Sequence, residues 1–532
     1  MSLSWTQCAP IVGVVFALYF GITRITVIRR GGKQTPGPKG KHTPIQLSLT
    51  ITDKIQAYPF IGNLLDLASA NGNLVPLFAQ WAKQYGPVVQ FDLFGEPQVV
   101  ISDEAIVHDL FVKRGNIYSD RSVPHAIYYI LREMSPGLMP KNDVWRRERK
   151  LIHSAISISV NEKYQACMRE EAISAVQDIL RSPGGFDEQF QKYTSAVIGR
   201  CFFGLRIESV LDPFVTENAA FLDETMEAFD PVAYPINLFP FLRFLPTWAL
   251  PSLRKMDRLR AVNDAKVANL AADMQRQIEA QNKQEKDQGT DQLGIFNEFL
   301  ANRSQYDISD TEANNAFFAL IGAGTRSTHN ALLTFIYLML AHPDWQTKLQ
   351  SQLDAVCPDR LPEWSDIPAL PVLRAVVKES VRYRSIIAEL GLPHRLTQDD
   401  EYEGYEFKKG TTFHANFGTI LMNPKTYPDQ SPFNPDRWLD PSYPTYREPL
   451  SVHPNFQNFT PFGQGRRACP GYDFAERSLL MMVAVLAWRC DIKKPIDAQG
   501  REYLPDVEFE KTPNPKMNGL KCRIVAREGR EI

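Results

Sequence analysis

Ten residues, FGQGRRACPG at 462–471, constrain this chain more than any other stretch. Phe462, Gly465, Arg467, Cys469 and Gly471 stand at the spacing Phe-x-x-Gly-x-Arg-x-Cys-x-Gly. A thiol between glycines and arginines is not an ordinary core cysteine. Glycine lets the backbone turn tightly and approach a flat body. The neighbouring guanidinium groups favour thiolate over thiol, and amides exposed in such a turn can donate to the sulfur. These are the conditions for a thiolate that ligates iron. The alternative is a Gly/Arg turn with an idle thiol.

The decapeptide resembles the haem-binding loop of the cytochromes P450. Four more segments resemble that family in the same order: WRRERK (145–150), IGAGTRST (321–328), ESVR (379–382) and FNPDRW (433–438). The resemblance covers residues 1–40 and 58–532. It implies a mainly α fold with a small β region, preceded by one N-terminal transmembrane helix. It implies haem b with Cys469 as the axial thiolate and metal ligand, dioxygen as co-substrate, and electrons from NADPH-cytochrome P450 reductase. The wording of FNPDRWLDP and FTPFGQGRRACPGYDFAERSLL is similar to fungal secondary-metabolism members, so a lipophilic small molecule is the expected substrate. Three activities stay open: oxygen insertion, oxidative phenol coupling without insertion, and a non-catalytic haem-binding paralogue.

Composition narrows the class further. The chain has 532 residues, of which 44% are hydrophobic and 23% charged, as in ordinary globular proteins. A net charge of −2 gives no case for nucleic acid. The seven cysteines are scattered without zinc-pair spacing, which suits free thiols in a reducing compartment. No linker follows residue 60, so one large catalytic domain is expected over 58–532.

From Met1 to Thr23 no residue is charged, and Arg24, Arg29, Arg30, Lys33 and Lys39 follow. About 20 apolar residues can span a bilayer as a helix. Residues 1–28 are therefore expected to be a single-pass anchor in the endoplasmic reticulum membrane, with the catalytic domain cytosolic. A cleaved signal peptide would need a basic start and a small-residue cleavage site, and neither is clear. Residues 29–57 are a hinge, TPGPKG at 35–40, with an unusual insertion at 41–57, KHTPIQLSLTITDKIQA. That segment separates the hinge from YPFIGN at 58–63, which the family normally joins to it. It is either a translated intron or a genuine loop.

Residues 86–102, GPVVQFDLFGEPQVVIS, predict a hairpin broken near Phe94-Gly95-Glu96-Pro97. Ser309-x-x-Glu312 reads as a capping box, opening a helix that runs to about His342 before Pro343. At 1.5 Å per residue it would be roughly 48 Å long, enough to cross a domain. Most of 311–490 is expected to be helical, with strands at 393–420, and the charged stretch 280–292 to be a solvated loop.

Trp145 and Arg149 stand at i and i+4, so an indole N–H and a guanidinium share one helix face. A basic surface helix is the plain reading; the resemblance implies that the pair holds a haem propionate. His394 and Arg467 are expected beside them on the cofactor. Arg146, Arg147 and Lys150 would add a positive face for an acidic electron donor. The resemblance also implies that Glu379, Arg382 and Arg437 form a buried charge triad that locks the thiolate loop. In the long helix the family places an acid and then an alcohol over the distal face of the haem. Here those positions are Arg326 and Ser327, with Thr325 and Thr328 as further hydroxyls. Arg326, Ser327 and Thr328 are the expected catalytic set. Arg326 cannot exchange a proton, so it is expected to orient water or to pair with a substrate carboxylate. Residues 119–135, including Tyr128 and Tyr129, and residues 386–390 should line the pocket.

Overall fold

The computed structural model describes residues 58, 61–70, 74–132, 135–284, 294–384, 391–429, 432–510 and 514–530. The expected anchor, the hinge and the 41–57 insertion lie outside the described residues. Among the described residues no helix is long and apolar enough to cross a membrane.

Among the described residues, the helices that frame the site are α1 (Asp143–Ser159), α2 (Glu162–Arg181), α3 (Phe186–Phe203), α4 (Pro213–Glu227), α5 (Pro251–Gln284), α6 (Asp310–Ala341), α7 (Pro371–Tyr383) and α8 (Tyr472–Arg489). Helix α6 is the axis. Its start is set by a full capping box: Ser309 Oγ accepts from Glu312 N at 3.2 Å, and Glu312 Oε2 accepts from Ser309 N at 3.0 Å. It ends at Ala341, because Pro343 has no N–H to continue it. Helices α1, α3, α7 and α8 pack around it. Its apolar residues, among them Phe317, Leu332 and Ile336, are buried in one continuous core.

The sheet region is small. Strands β1 (Val88–Leu93) and β2 (Glu96–Ile101) form the expected hairpin, turning at Phe94 and Gly95, both with positive φ. That is the twist a two-residue hairpin turn requires. Short strands β3 (Asp120–Arg121), β4 (His394–Arg395) and β5 (Thr412–Ala415) complete a five-stranded sheet in the order β1-β2-β5-β4-β3. Its register sets Arg121 directly opposite His394. Near the C-terminus β6 (Cys490–Lys493) pairs with β9 (Arg523–Ala526), and β7 (Glu508–Phe509) with β8 (Met517–Asn518).

Two expectations need correction. Helix α5 continues to Gln284, into the stretch expected to be a loop; residues 285–293 lie outside the described residues. The part of 311–490 between residues 421 and 471 is mostly turns and single 3-10 turns, such as Pro435–Trp438 and Thr460–Phe462. Prolines at 424, 428, 432, 435, 441, 444, 449, 454, 461 and 470 interrupt any helix there.

Candidate active site

A cavity of about 350 Å³ lies between α6, α4, the sheet and the 462–471 loop. Cys469, Phe462 and Gly463 form part of one wall; Ala319, Gly322 and Ala323 of α6 belong to another. The loop holds its shape through Cys469 N, which donates to Phe462 O at 2.6 Å. Gly465 has φ +67, and a Cβ there would overlap the Phe111 carbonyl oxygen. Only glycine fits that position. Burial pushes the Cys469 thiol up; the Gly471 N–H and the Arg149 guanidinium pull it down. The charge that favours the thiolate thus comes from α1.

The loop's own Arg467 is committed elsewhere. It donates to the carbonyls of Ser119 at 2.7 Å, Pro136 at 3.2 Å and Met139 at 2.9 Å, and lies 4.0 Å over the Trp145 ring. Arg149 donates to the Ala468 carbonyl. A third guanidinium, Arg121, also lines the cavity and donates to Gly137 O at 3.1 Å and Leu392 O at 2.6 Å. None of the three makes an ion pair with a carboxylate among the described residues. Burial pulls Arg467 down to about 9, and burial with the repulsion of Arg467 and Arg149 holds Arg121 well below the usual arginine range. The Trp145 indole N–H is buried without a hydrogen-bond partner among the described residues. Three cations without an ion-pair partner among the described residues line one cavity, with an orphan donor beside Arg467, and together they call for an anion.

His394 stands opposite Arg121. It lines the cavity, but its Nδ1 pairs with Tyr118 O at 2.8 Å, and its ring stacks on Phe111 with centroids 3.8 Å apart. Burial and the adjacent Arg121 keep it neutral. The positive charge at this end is carried by arginine. Arg121 falls within the 119–135 stretch expected to line the pocket, but the sequence does not single it out as a cation of the site, because only a two-residue strand delivers it and such a strand has no periodicity to detect.

Glu379, Arg382 and Arg437 come together with fully buried side chains. Arg382 makes a two-pronged contact with Glu379, Nε to Oε2 and Nη2 to Oε1, both at 2.8 Å. Arg437 Nε reaches Oε1 at 3.2 Å, and Trp438 Nε1 reaches Oε2 at 3.0 Å. Asn434 N also donates to Glu379. The carboxylate thus pins α7 to the proline-rich segment that precedes the thiol.

The expected catalytic set on α6 falls outside the cavity lining. Arg326 is buried and engaged at all three nitrogens: Nη1 pairs with Asp223, Nη2 with Glu510, and Nε donates to Asn514 O at 3.1 Å. It already holds two carboxylates of the protein and does not line the cavity. Ser327 Oγ donates to the Ala323 carbonyl at 2.7 Å, so its single proton is spent and it can only accept as it stands. Thr325 is bonded to Ile321 O and faces a polar pocket with Arg326 and His329. Thr328 is buried. Of the expected pocket tyrosines, Tyr128 is exposed and the Tyr129 phenol is held by Asp257. Residues 386–390 lie outside the described residues; the lining resumes at Gly391 and Leu392. On the opposite side of α1, Arg147 is spent on Glu312, whereas Arg146 stays exposed.

A family model described as Cytochrome P450 matches residues 54–513. The chain belongs to the cytochrome P450 family. It is 46% identical to the cytochrome P450 monooxygenase psoD of Aspergillus fumigatus, over 90% of this chain and 91% of that one. It is 32% identical to the cytochrome P450 monooxygenase virE of Hypocrea virens, over 85% of this chain and 80% of that one. Its fold matches a zebra fish cytochrome P450 solved with abiraterone, with a TM-score of 0.67 at 23% identity, covering 85% of this chain and 100% of that one. The P450 is therefore a haem-thiolate monooxygenase. The cavity fits that cofactor: a thiol at one wall, small residues at the other, and cations awaiting carboxylates at the edge.

Proposed function

We propose that Cys469 is the axial thiolate of this P450, and that Arg121, Arg149, Arg467 and the Trp145 N–H hold the two haem carboxylates. The cavity supports this most directly, because the thiol and three guanidinium groups without ion-pair partners among the described residues line one space, and the orphan indole N–H belongs to the ring stacked under one of them, Arg467. When bound, haem supplies activation of dioxygen. The chain's own part is to orient and to exclude water. The Glu379–Arg382–Arg437 triad holds the thiolate loop in place.

The substrate is a lipophilic small molecule, in line with a distal wall built from Phe221, Leu222, Met226, Phe229, Phe318 and Phe417. Ser327, one turn after the lining residue Ala323, is the hydroxyl we assign to serve dioxygen, and it would first have to rotate off Ala323 O. Electrons come from NADPH-cytochrome P450 reductase, docked near Arg146 and Lys150. The chain is anchored in the endoplasmic reticulum membrane and serves fungal secondary metabolism. A non-catalytic reading rested on Arg326 disabling the distal site; its place outside the cavity lining removes that ground.

The test joins spectroscopy to product mass. The reduced carbon monoxide complex should absorb at the thiolate-haem wavelength. Cys469→Ser should abolish that band, and Cys490→Ser should leave it. Microsomes carrying chain and reductase, given a fungal metabolite extract, should yield products heavier by one oxygen. Products lighter by two hydrogens would mean coupling instead. A retained band in Cys469→Ser would overturn the ligand assignment.

A further inference from the structure

Two stripes of α6 run side by side. Ala319, Ala323 and Ser327 stand at i, i+4 and i+8; the first two line the cavity, and Ser327 continues their stripe beyond it. Gly322, Arg326 and Asn330 have the same spacing, one residue behind, and share a neighbouring face. Each of these three holds part of the cavity's roof.

A Cβ built on Gly322 would stand 2.9 Å from Leu222 Cδ2, so the missing side chain lets α4 settle onto α6. One turn on, Arg326 binds the next residue of α4, Asp223. The same guanidinium binds Glu510 beside β7 and donates to Asn514 O. A further turn on, Asn330 Nδ2 donates to Asn514 Oδ1 at 2.8 Å and to Pro515 O at 3.1 Å. The two segments gripped this way are the ones that cover the cavity, through Phe221, Thr225 and Met226 on one side and Asn514 on the other.

The grip is uneven. The Arg326 side chain is 9% exposed, Glu510 31% and Asp223 58%. If Asp223 leaves, Arg326 keeps Glu510 and the Asn514 carbonyl, so no buried charge is stranded. Asp223 meanwhile is already half in water, where ion pairs are weak. The C-terminal segment has more to lose: Glu510, both Asn514 oxygens and Pro515 O are all engaged.

We propose that Arg326 is a clasp that holds α4 over the cavity, and that ligands enter and leave by release of Asp223. Arg326 is a positioning residue; it acts on the cavity through α4. The proposal rests on the reading of this cavity as the ligand site above the haem.

The test uses full-length holoenzyme and stopped-flow binding of 4-phenylimidazole, read from the haem spectrum. Asp223→Asn should raise both association and dissociation rates by about two- to fivefold, with the dissociation constant nearly unchanged. Added salt should speed the parent and leave Asp223→Asn unaffected, because screening opens the same pair. Asp223→Glu should restore slow entry. Carbon monoxide recombination, which needs no roof motion, should be equal in all three. A parent that binds no 4-phenylimidazole overturns the cavity reading and the clasp with it. A parent that binds, beside an Asp223→Asn variant with the same rates and salt response, overturns the clasp alone.

Discussion

The Arg467 guanidinium lies 4.0 Å over the Trp145 ring, while the indole N–H of the same ring has no partner among the described residues. The ring face is spent on a cation; on the proposed function, its edge holds a haem carboxylate. Trp145→Phe should therefore keep the loop in place but loosen the cofactor, speeding haem transfer to a scavenging apoprotein by about threefold to tenfold. Arg121→Ala should have a larger effect, about tenfold to a hundredfold, because it removes a charge as well as the bonds to Gly137 and Leu392. Equal haem retention in both variants and the parent would remove these residues from the cofactor site.

Glu379→Gln should cost about 3–5 kcal/mol, since it leaves Arg382 and Arg437 buried without their countercharge. Urea unfolding of the holoenzyme measures that cost, and haem content should fall with it. The loss should be felt at the thiol, because the same carboxylate anchors Asn434 and Trp438 in the segment leading to it.

Ser327→Ala should leave haem content intact, raise the peroxide released per NADPH and lower product in step. The single Ser327 bond, to Ala323 O, lies within α6, so little stability should be lost. Unchanged peroxide and product would take Ser327 out of the reaction.

Burial pushes the Glu476 carboxyl up to about 7, against the pull of the Phe456 N–H that donates to it at 3.0 Å. A carboxyl with a raised folded-state pKa contributes most below its unfolded value near 4.5, and that contribution fades as pH rises to 7. Stability should fall across this window. Glu476→Gln keeps an acceptor for Phe456 and carries no charge, so it should flatten the slope and gain up to about 3 kcal/mol over the parent at pH 8. Denaturant titrations at pH 5 and pH 8 decide it.

What could be read in advance was local. The capping box of α6 and the proline after it bound one helix, and both signals lie within a few residues of the ends they set. The turn at Phe94-Gly95 is likewise a short-range matter. The thiolate loop was legible because glycine, arginine and cysteine at fixed spacing carry chemistry of their own. Arg326 was misread because its partners Asp223 and Glu510 lie 103 and 184 residues away. A helix position says which face a side chain takes, and nothing about what the fold brings to meet it. Tyr128 and Tyr129 failed for the same reason: position near a pocket in the chain does not decide which way a residue points.

Strands β3 and β4 have two residues each, and their register sets Arg121 opposite His394. A slip of one residue would exchange Arg121 for Asp120 and turn a carboxylate toward the cofactor's own carboxylates. Such a short pairing has little strength with which to choose its alignment. The rest of the protein supplies the choice: Arg121 donates to Gly137 O and Leu392 O, His394 Nδ1 pairs with Tyr118 O, and β4 is held on its other edge by β5. The cation at the cavity is thus set by the protein's own carbonyls, so its alignment does not wait on the cofactor.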